Sequence, residues 1–358
     1  MPSLKEIKGR INSISSTLAI TSAMKMVAAA KLQKAQMAIQ NMLPYERRLH
    51  SMLIDLMGAM NISAAASEDG SVRGSGSAER GFDQSGDRLS LSNRHDLAGM
   101  DGAYSLMAQR EVRKVAIVAF ASNSSLCGAF NSNVIREATA VINEYRASGL
   151  GDADITVYSV GRKMAEAMKK LGFPSPADFT KMSDSPSYDA ASALAQELFD
   201  GFVSGRFDKV ELVYNHYKST SSQPTTRQTY LPLSLADATA DIQVGKITDS
   251  ASESDMNRGA EPVGAPVVRQ GSPTTEDLIV EPSKEALIAT LLPKVIRLRI
   301  FTTLLDSAAA EHAARTVAMQ LATDNGNDLL QELTLEYNKG RQQKITSEIL
   351  DLVGGSMQ

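Results

Sequence analysis

Apolar residues along the first 60 positions recur at alternating steps of three and four. From Leu4 the series runs Leu4, Ile7, Ile11, Ile14, Leu18, Thr21, Lys25, Ala28, Leu32, Ala35, Ile39, Met42, Glu46, Leu49, Leu53, Leu56 and Met60, and fourteen of the seventeen are apolar. A 3.5-residue repeat sustained that long marks a coiled coil rather than the surface helix of a globular domain. At 1.5 Å per residue it predicts a helix on the order of 85 Å long, which needs a partner helix. Pro44 is expected to kink or split it.

The far end of the chain offers that partner. Pro282-Ser283 is a plausible N-cap with Glu285 in the first turn, and only Pro293 interrupts the stretch to Val353. Apolar residues recur at Leu287, Leu291, Val295, Leu298, Phe301, Leu305 and Ala308, then at Val317, Leu321, Leu330, Leu333, Tyr337, Ile345, Ile349 and Leu352. Between the two runs lie Ser307, Ala308, Ala309, Ala310, Ala313 and Ala314, small enough for two helix backbones to approach closely. Gly326 and Gly340 each weaken the helix by about 1 kcal/mol relative to alanine.

The middle changes period. Val115 to Ala121 is a continuous apolar run of strand length, as a strand buried on both faces requires. A loop over 122–129 leads to an amphipathic helix over 131–146. A second strand follows at 154–160, with helices near 162–171 and 188–203, a third strand at 209–216 and a possible fourth at 228–233. Strand–helix alternation predicts a doubly wound, mostly parallel sheet. The fold class expected is α/β plus coiled coil: a long antiparallel coiled coil of the terminal helices with an α/β domain inserted. The boundaries expected are 1–60 for the first helix, 111–236 for the α/β domain and 278–358 for the last helix. Residues 61–110 and 237–277 read as low-complexity insertions. Within them, 61–105 hold nine Ser and seven Gly, and 237–276 hold fifteen Gly, Pro, Ser or Thr. Such segments bury too little apolar area to offset the entropy of ordering them.

Composition narrows the function classes. The chain has 358 residues, one cysteine, no tryptophan and 37 Lys+Arg against 41 Asp+Glu. One cysteine excludes a disulfide framework and an all-cysteine metal site. No apolar run is long enough to span a bilayer, and the N-terminus lacks the apolar core of a secretory signal, so a soluble, cytoplasmic protein is expected. The net charge of −4 hides an asymmetry, because residues 1–60 carry eight basic and three acidic side chains. A basic segment of this kind points either to an acidic partner or to a solvated helix face.

Candidate chemistry is sparse. Cys127, in the loop after the first strand, occupies a place where α/β enzymes put nucleophiles. Its base would have to be His50, His95, His216 or His312, none at a telling spacing; a small buried thiol beside a glycine turn is the alternative. Val160-Gly-Arg-Lys163 lacks the first glycine and the Ser/Thr of a phosphate loop. No metal-ligand spacing occurs, so neither a metal nor a cofactor is expected. The cluster Arg341-Gln-Gln-Lys-Ile-Thr346-Ser-Glu348 sets several hydrogen-bonding groups on successive turns of what is otherwise a simple seam.

The two termini carry a specific resemblance. Ile7-Lys-Gly-Arg-Ile11 and Ile20-Thr-Ser-Ala-Met-Lys-Met-Val-Ala-Ala-Ala-Lys-Leu32 resemble the N-terminal motif of the gamma subunits of F-type ATP synthases. Glu311-His-Ala-Ala-Arg-Thr-Val-Ala-Met319, Ala322-Thr-Asp-Asn325, Tyr337-Asn-Lys-Gly-Arg-Gln342 and Ile345-Thr-Ser-Glu-Ile-Leu-Asp351 resemble the C-terminal helix of that family, and Leu126-Cys-Gly-Ala-Phe-Asn131 resembles its turn after the first strand. Where the family has Ser-Asp-Arg-Gly before Leu-Cys-Gly, this chain has Ser122-Asn-Ser-Ser125, and its last residues are Gly355-Ser-Met-Gln358. The resemblance implies a non-catalytic central-stalk rotor without cofactor, peripheral at the cytoplasmic face of the bacterial inner membrane. It would turn within a head of alpha and beta subunits while its α/β domain docks with the epsilon subunit and the membrane ring of c subunits. It further implies contact with the catalytic head through Met24 and Lys25 on the first helix and Arg315, Gln342, Thr346 and Glu348 on the last. Two other readings stand beside it: an independent α/β enzyme built on the Cys127 loop, and a coiled-coil scaffold or nucleic-acid binder.

Overall fold

A computed structural model of the chain describes residues 3–59, 106, 110–233 and 284–356. The low-complexity segments lie outside the described residues except for Arg110 and Leu106, the latter fully buried in the core rather than part of an unpacked insertion, and the Pro282-Ser283 cap lies outside them too.

Helix α1 (Leu4–Ala59) and helix α6 (Lys284–Ser356) are the long terminal helices. The sixteen described seam positions of α1, from Leu4 to Leu56, are all buried or half-buried, so the heptad reading located the contact face correctly. The helix runs unbroken through Pro44 rather than splitting there. Pro44 and Gln40, whose carbonyl loses its donor, both face solvent, where water can satisfy that carbonyl. Helix α6 likewise continues through Pro293.

Cross-helix contacts set an antiparallel register. Thr302 Oγ1 donates to Glu46 Oε1 at 3.1 Å, and Thr323 Oγ1 to Thr21 Oγ1 at 3.1 Å. A β-carbon at Gly326 would stand 2.7 Å from Leu18, and one at Gly340 would stand 3.2 Å from Leu4. The seam of α6 therefore runs Met319, Thr323, Gly326, Leu330, Leu333, Tyr337, Gly340. Leu321, expected on it, is 58% exposed instead. The two glycines, which sequence reading treats as weak points, make room for leucines of α1. Beyond Gly340 no α1 residue remains opposite, and 341–356 extend roughly 24 Å further at 1.5 Å per residue. Ile345, Ile349 and Leu352 are exposed there rather than buried in a seam.

Between the termini, the sheet holds β1 (Val115–Phe120), β2 (Ile155–Val160), β3 (Lys209–Asn215) and β4 (Thr225–Leu231) in the order β2-β1-β3-β4. Strand β1 pairs parallel with β2 and β3, while β4 is an antiparallel edge beginning earlier than its apolar pattern implied. The intervening helices are α2 (Phe130–Ala147), α3 (Arg162–Lys170), α4 (Thr180–Asp184) and α5 (Tyr188–Val203). Five-residue α4 is too short to leave a periodic trace in the sequence.

Both faces of the sheet are covered. Helices α2 and α3 pack on the side carrying Val115, Ile117 and Ala119. The other side, with Ala116, Val118 and Phe120, packs on α5 and on the terminal helices, through Leu49, Leu53 and Leu56 of α1 and Ile288 to Leu304 of α6. The terminal helices are thus rooted in the core of the α/β layer and leave it as a pair.

Candidate partner-contact site

The six residues expected to meet a partner fall into three places. Met24, 40% exposed, and half-buried Lys25 lie on α1 opposite Met319 and Gln320. Gln342, Thr346 and Glu348 lie on the tip of α6, about 33 Å further along at 1.5 Å per residue, so the structure does not gather the six into one site. All three tip residues are exposed. The Thr346 hydroxyl donates to the Gln342 carbonyl at 2.9 Å, and Glu348 stands 3.8 Å from Lys344. Both contacts lie within one helix and leave the carboxamide of Gln342 and the Glu348 carboxylate accessible.

Arg315, the sixth, is engaged within the chain. Its guanidinium pairs with Glu311 at 2.8 Å and donates to Ser124 Oγ at 2.6 Å, with the side chain only 15% exposed. It joins α6 to the loop after β1. That loop is held from below as well: Asn123 Oδ1 accepts from the Arg162 amide at 2.7 Å, and its carbonyl accepts from the Arg162 guanidinium at 2.6 Å. The departure Ser122-Asn-Ser-Ser125 is therefore absorbed in contacts within the chain. Gly161 permits the approach, because a β-carbon there would lie 2.0 Å from the Ala121 carbonyl oxygen.

Where an α/β enzyme would open its crevice, at the ends of β1 and β3, this chain inserts its own α6. Ala310 and Ala314 pack on Cys127 and Phe130. The Cys127 thiol is buried and accepts from Asn131 Nδ2 at 3.2 Å, as the small-core-residue alternative has it. A cavity of about 10 Å³, lined by residues including Ser183, Ser307 and Glu311, holds no more than a water molecule.

The last residue of β3 and the two that follow it tie the layer together, His216 and Tyr217 to the terminal helices, a feature the sequence reading missed. Asn215 Nδ2 donates to the Phe130 carbonyl at 3.0 Å. His216 Nδ1 lies 2.6 Å from Asp306 Oδ2, and the Tyr217 amide donates to Asp306 Oδ1 at 2.9 Å. The Tyr217 hydroxyl meets Gln36 Nε2 of α1 at 2.6 Å. No motif or periodicity marks these residues, which are 181 and 90 positions from their partners. The Asp306 hydrogen bond holds His216 above its ordinary range despite desolvation. Nearby, burial first, then Arg315 and Lys31, depress His312 to about 4, while burial raises the Glu311 carboxyl despite Arg315. Among the described residues no helix is long and apolar enough to cross a membrane, and no cluster of three or more His, Cys, Asp or Glu is gathered that could hold a metal ion.

Comparison with known proteins agrees with the terminal motifs. The family model described as ATP synthase matches residues 3–357. The ATP synthase gamma chain of Phocaeicola vulgatus is 48% identical over 357 residues, covering 100% of each chain, so both low-complexity segments fall inside the matched span. That of Bacteroides thetaiotaomicron is 45% identical over 358 residues, again with 100% coverage of each. Among solved structures, a chain of the Euglena gracilis mitochondrial ATP synthase (OSCP/F1/c-ring, rotational state 3) aligns with a TM-score of 0.52 at 18% identity, covering 99% of this chain and 93% of that one, a likeness of fold. With motifs at both ends, a family match along the chain and full-length relatives of one kind, this chain belongs to the ATP synthase gamma chain family.

Proposed function

We propose that the chain is the central-stalk rotor of a bacterial F-type ATP synthase, peripheral at the cytoplasmic face of the inner membrane and without catalytic groups of its own. The observation that carries this reading is the asymmetry of the terminal helices. They are rooted in the α/β core at one end, leave it as an antiparallel pair, and end in a single-helix tip 341–356. The sustained seam fits a coiled coil, which is stiff under twist because its knobs interlock.

In this reading the pair lies along the axis of the head of alpha and beta subunits, and the α/β layer docks with epsilon and the ring of c subunits. Proton flow turns the ring. The coil, which is not threefold symmetric, then presents a different surface to each catalytic subunit and so shifts its conformational populations. Met24 and Lys25 along the shaft and Gln342, Thr346 and Glu348 at the tip would make the polar and apolar contacts that define stopping angles. Exposed Lys5, Lys8, Arg10, Lys31 and Lys34 favour acidic neighbours. Arg315 would add to the stopping-angle contacts from its place beside Ser124. The filled crevice counts against the independent-enzyme reading, and neither it nor the scaffold reading is carried further.

Two experiments test the proposal. Native pull-down of the chain should recover the alpha and beta subunits, and recovery of neither ends the rotor reading. In membrane vesicles, Gln342→Ala with Thr346→Ala should lower proton-driven ATP synthesis while the chain stays folded, and unchanged synthesis removes the tip assignment. Cys127→Ser should leave synthesis nearly intact, whereas complete loss would return the enzyme reading.

A further inference from the structure

Where the helix pair leaves the α/β layer, the face that α6 offers is built of small side chains. Ala310 and Ala314 pack on Cys127 and Phe130, and Ala309 and Ala313 pack with Leu32 of α1. Alanine surfaces allow close approach but offer few knobs to resist sliding or turning. Directional contacts near this level come from two places: Ser124, which accepts from Arg315 of α6, and the segment after β3, which alone among the described residues reaches both helices by hydrogen bonds here. Tyr217 packs against Leu32 of α1 and against Ala309 and Ala310 of α6. Its amide and the His216 ring share the two oxygens of Asp306, and its hydroxyl meets Gln36. One residue, two positions beyond the end of β3, thus touches the first helix and the last.

We infer that Tyr217, with Gln36 and Asp306, is a positioning joint that fixes the angle of the α/β layer about the helix pair, so that torque applied to the layer enters the shaft without slack. The inference rests on the rotor reading and assigns one part of it to named residues. Deeper packing of α6 on the sheet, through Ile296, Ile300 and Leu304, anchors the helix below this level. Among the described residues, the joint is the uppermost point at which a side chain of the α/β layer hydrogen-bonds to α1. Loss of its bonds would leave folding to the core and let the pair twist at its exit, since coupling through a protein runs along contiguous packed and hydrogen-bonded groups.

The test uses the assembled complex of catalytic head and this chain, with the head immobilised and a bead held through two biotinylated cysteines, Ser148→Cys and Lys169→Cys. Both positions are exposed, and Cys127 is buried, so labelling stays at the introduced sites. The angular spread of the bead during pauses is compared among variants. Gln36→Leu should widen it by about 1.4-fold, the mean-square displacement doubling as torsional stiffness halves. Tyr217→Phe should do the same, while Gln36→Glu, which can accept from the Tyr217 hydroxyl, should restore the narrow spread. Unchanged spread in Gln36→Leu and Tyr217→Phe overturns the joint and leaves the rotor reading standing. Absence of ATP-driven directed rotation in the complex carrying only the two cysteines overturns the rotor reading itself. If Tyr217→Phe does not assemble, Gln36→Leu and Gln36→Glu decide alone.

Discussion

The hydroxyls of Thr21 and Thr323 meet at 3.1 Å across 302 residues of sequence. The contact marks the register of the two helices without being needed to satisfy either group, since each hydroxyl also reaches a carbonyl of its own helix, Thr21 that of Leu18 at 3.1 Å and Thr323 that of Met319 at 2.8 Å. Three residues along, Gly326 receives Leu18.

That neighbour relationship makes a double-mutant test. Gly326→Ala gains about 1 kcal/mol of helix propensity but sets a methyl 2.7 Å from Leu18 Cδ2, so alone it should be close to neutral. In a Leu18→Ala background the overlap is gone, and the same substitution should stabilise by about 1 kcal/mol. Denaturant titrations of the four chains measure the difference, and equal effects in both backgrounds would mean that Leu18 does not fill the glycine's place.

Two glycines share a left-handed φ of +95° but not the same surroundings. Gly149→Ala meets nothing within 4 Å and should cost about 1–2 kcal/mol of backbone strain. Gly161→Ala drives a β-carbon into the Ala121 carbonyl, which is backbone and cannot step aside. It should cost at least about 3 kcal/mol and displace the loop that Arg162 holds. Comparison of melting midpoints checks the ranking.

The two histidines near the exit should respond to pH with opposite signs. His216 binds its proton more tightly folded than unfolded, so its contribution is complete below about pH 6.5 and fades as pH rises through the folded value. His312, depressed from 6.5 to about 4, is folded as the neutral ring; its contribution is complete above pH 6.5 and is lost as pH falls toward 4. His312→Gln should therefore flatten the acid side of the stability profile by on the order of 1–3 kcal/mol, and His216→Gln the alkaline side. Unfolding free energies between pH 4 and 9 provide the check.

Inside the α/β layer two buried polar groups should behave in opposite ways. Ser159 Oγ is buried with no hydrogen-bond partner among the described residues, so Ser159→Ala should be neutral or stabilising by about 1 kcal/mol. The Tyr145 hydroxyl donates to buried Glu211 at 2.6 Å. Desolvation disfavours that carboxylate, but Arg227, Lys209 and Tyr145 outweigh it and hold it below its usual range. Tyr145→Phe should cost about 1–3 kcal/mol, read from the same titrations.

Much of this was legible in the chain itself. The seam of α1 could be read position by position, because a repeat sustained over so many turns leaves one face for contact. Strand β1 was legible because a central parallel strand covered on both faces is apolar throughout, and β2 and β3 because they are short β-branched and aromatic runs between helical stretches. Leu321 was misassigned because apolar spacing alone cannot tell which helix face meets α1, and the true face carries Thr323 and two glycines. The bond of Arg315 to Ser124 could not be read because the two lie 191 positions apart, beyond any local pattern.

The sequence alone determined the two long helices, the alternating centre and the family, since each rests on period, composition or motif, all properties of neighbouring residues. Only the tertiary structure decided that α6 fills the crevice of its own sheet, that it outruns α1 by sixteen residues, and that Tyr217 ties both helices to the layer. Those relationships depend on which distant surfaces come to lie together, and a hydrogen bond across 181 residues leaves no trace in the local pattern at either end.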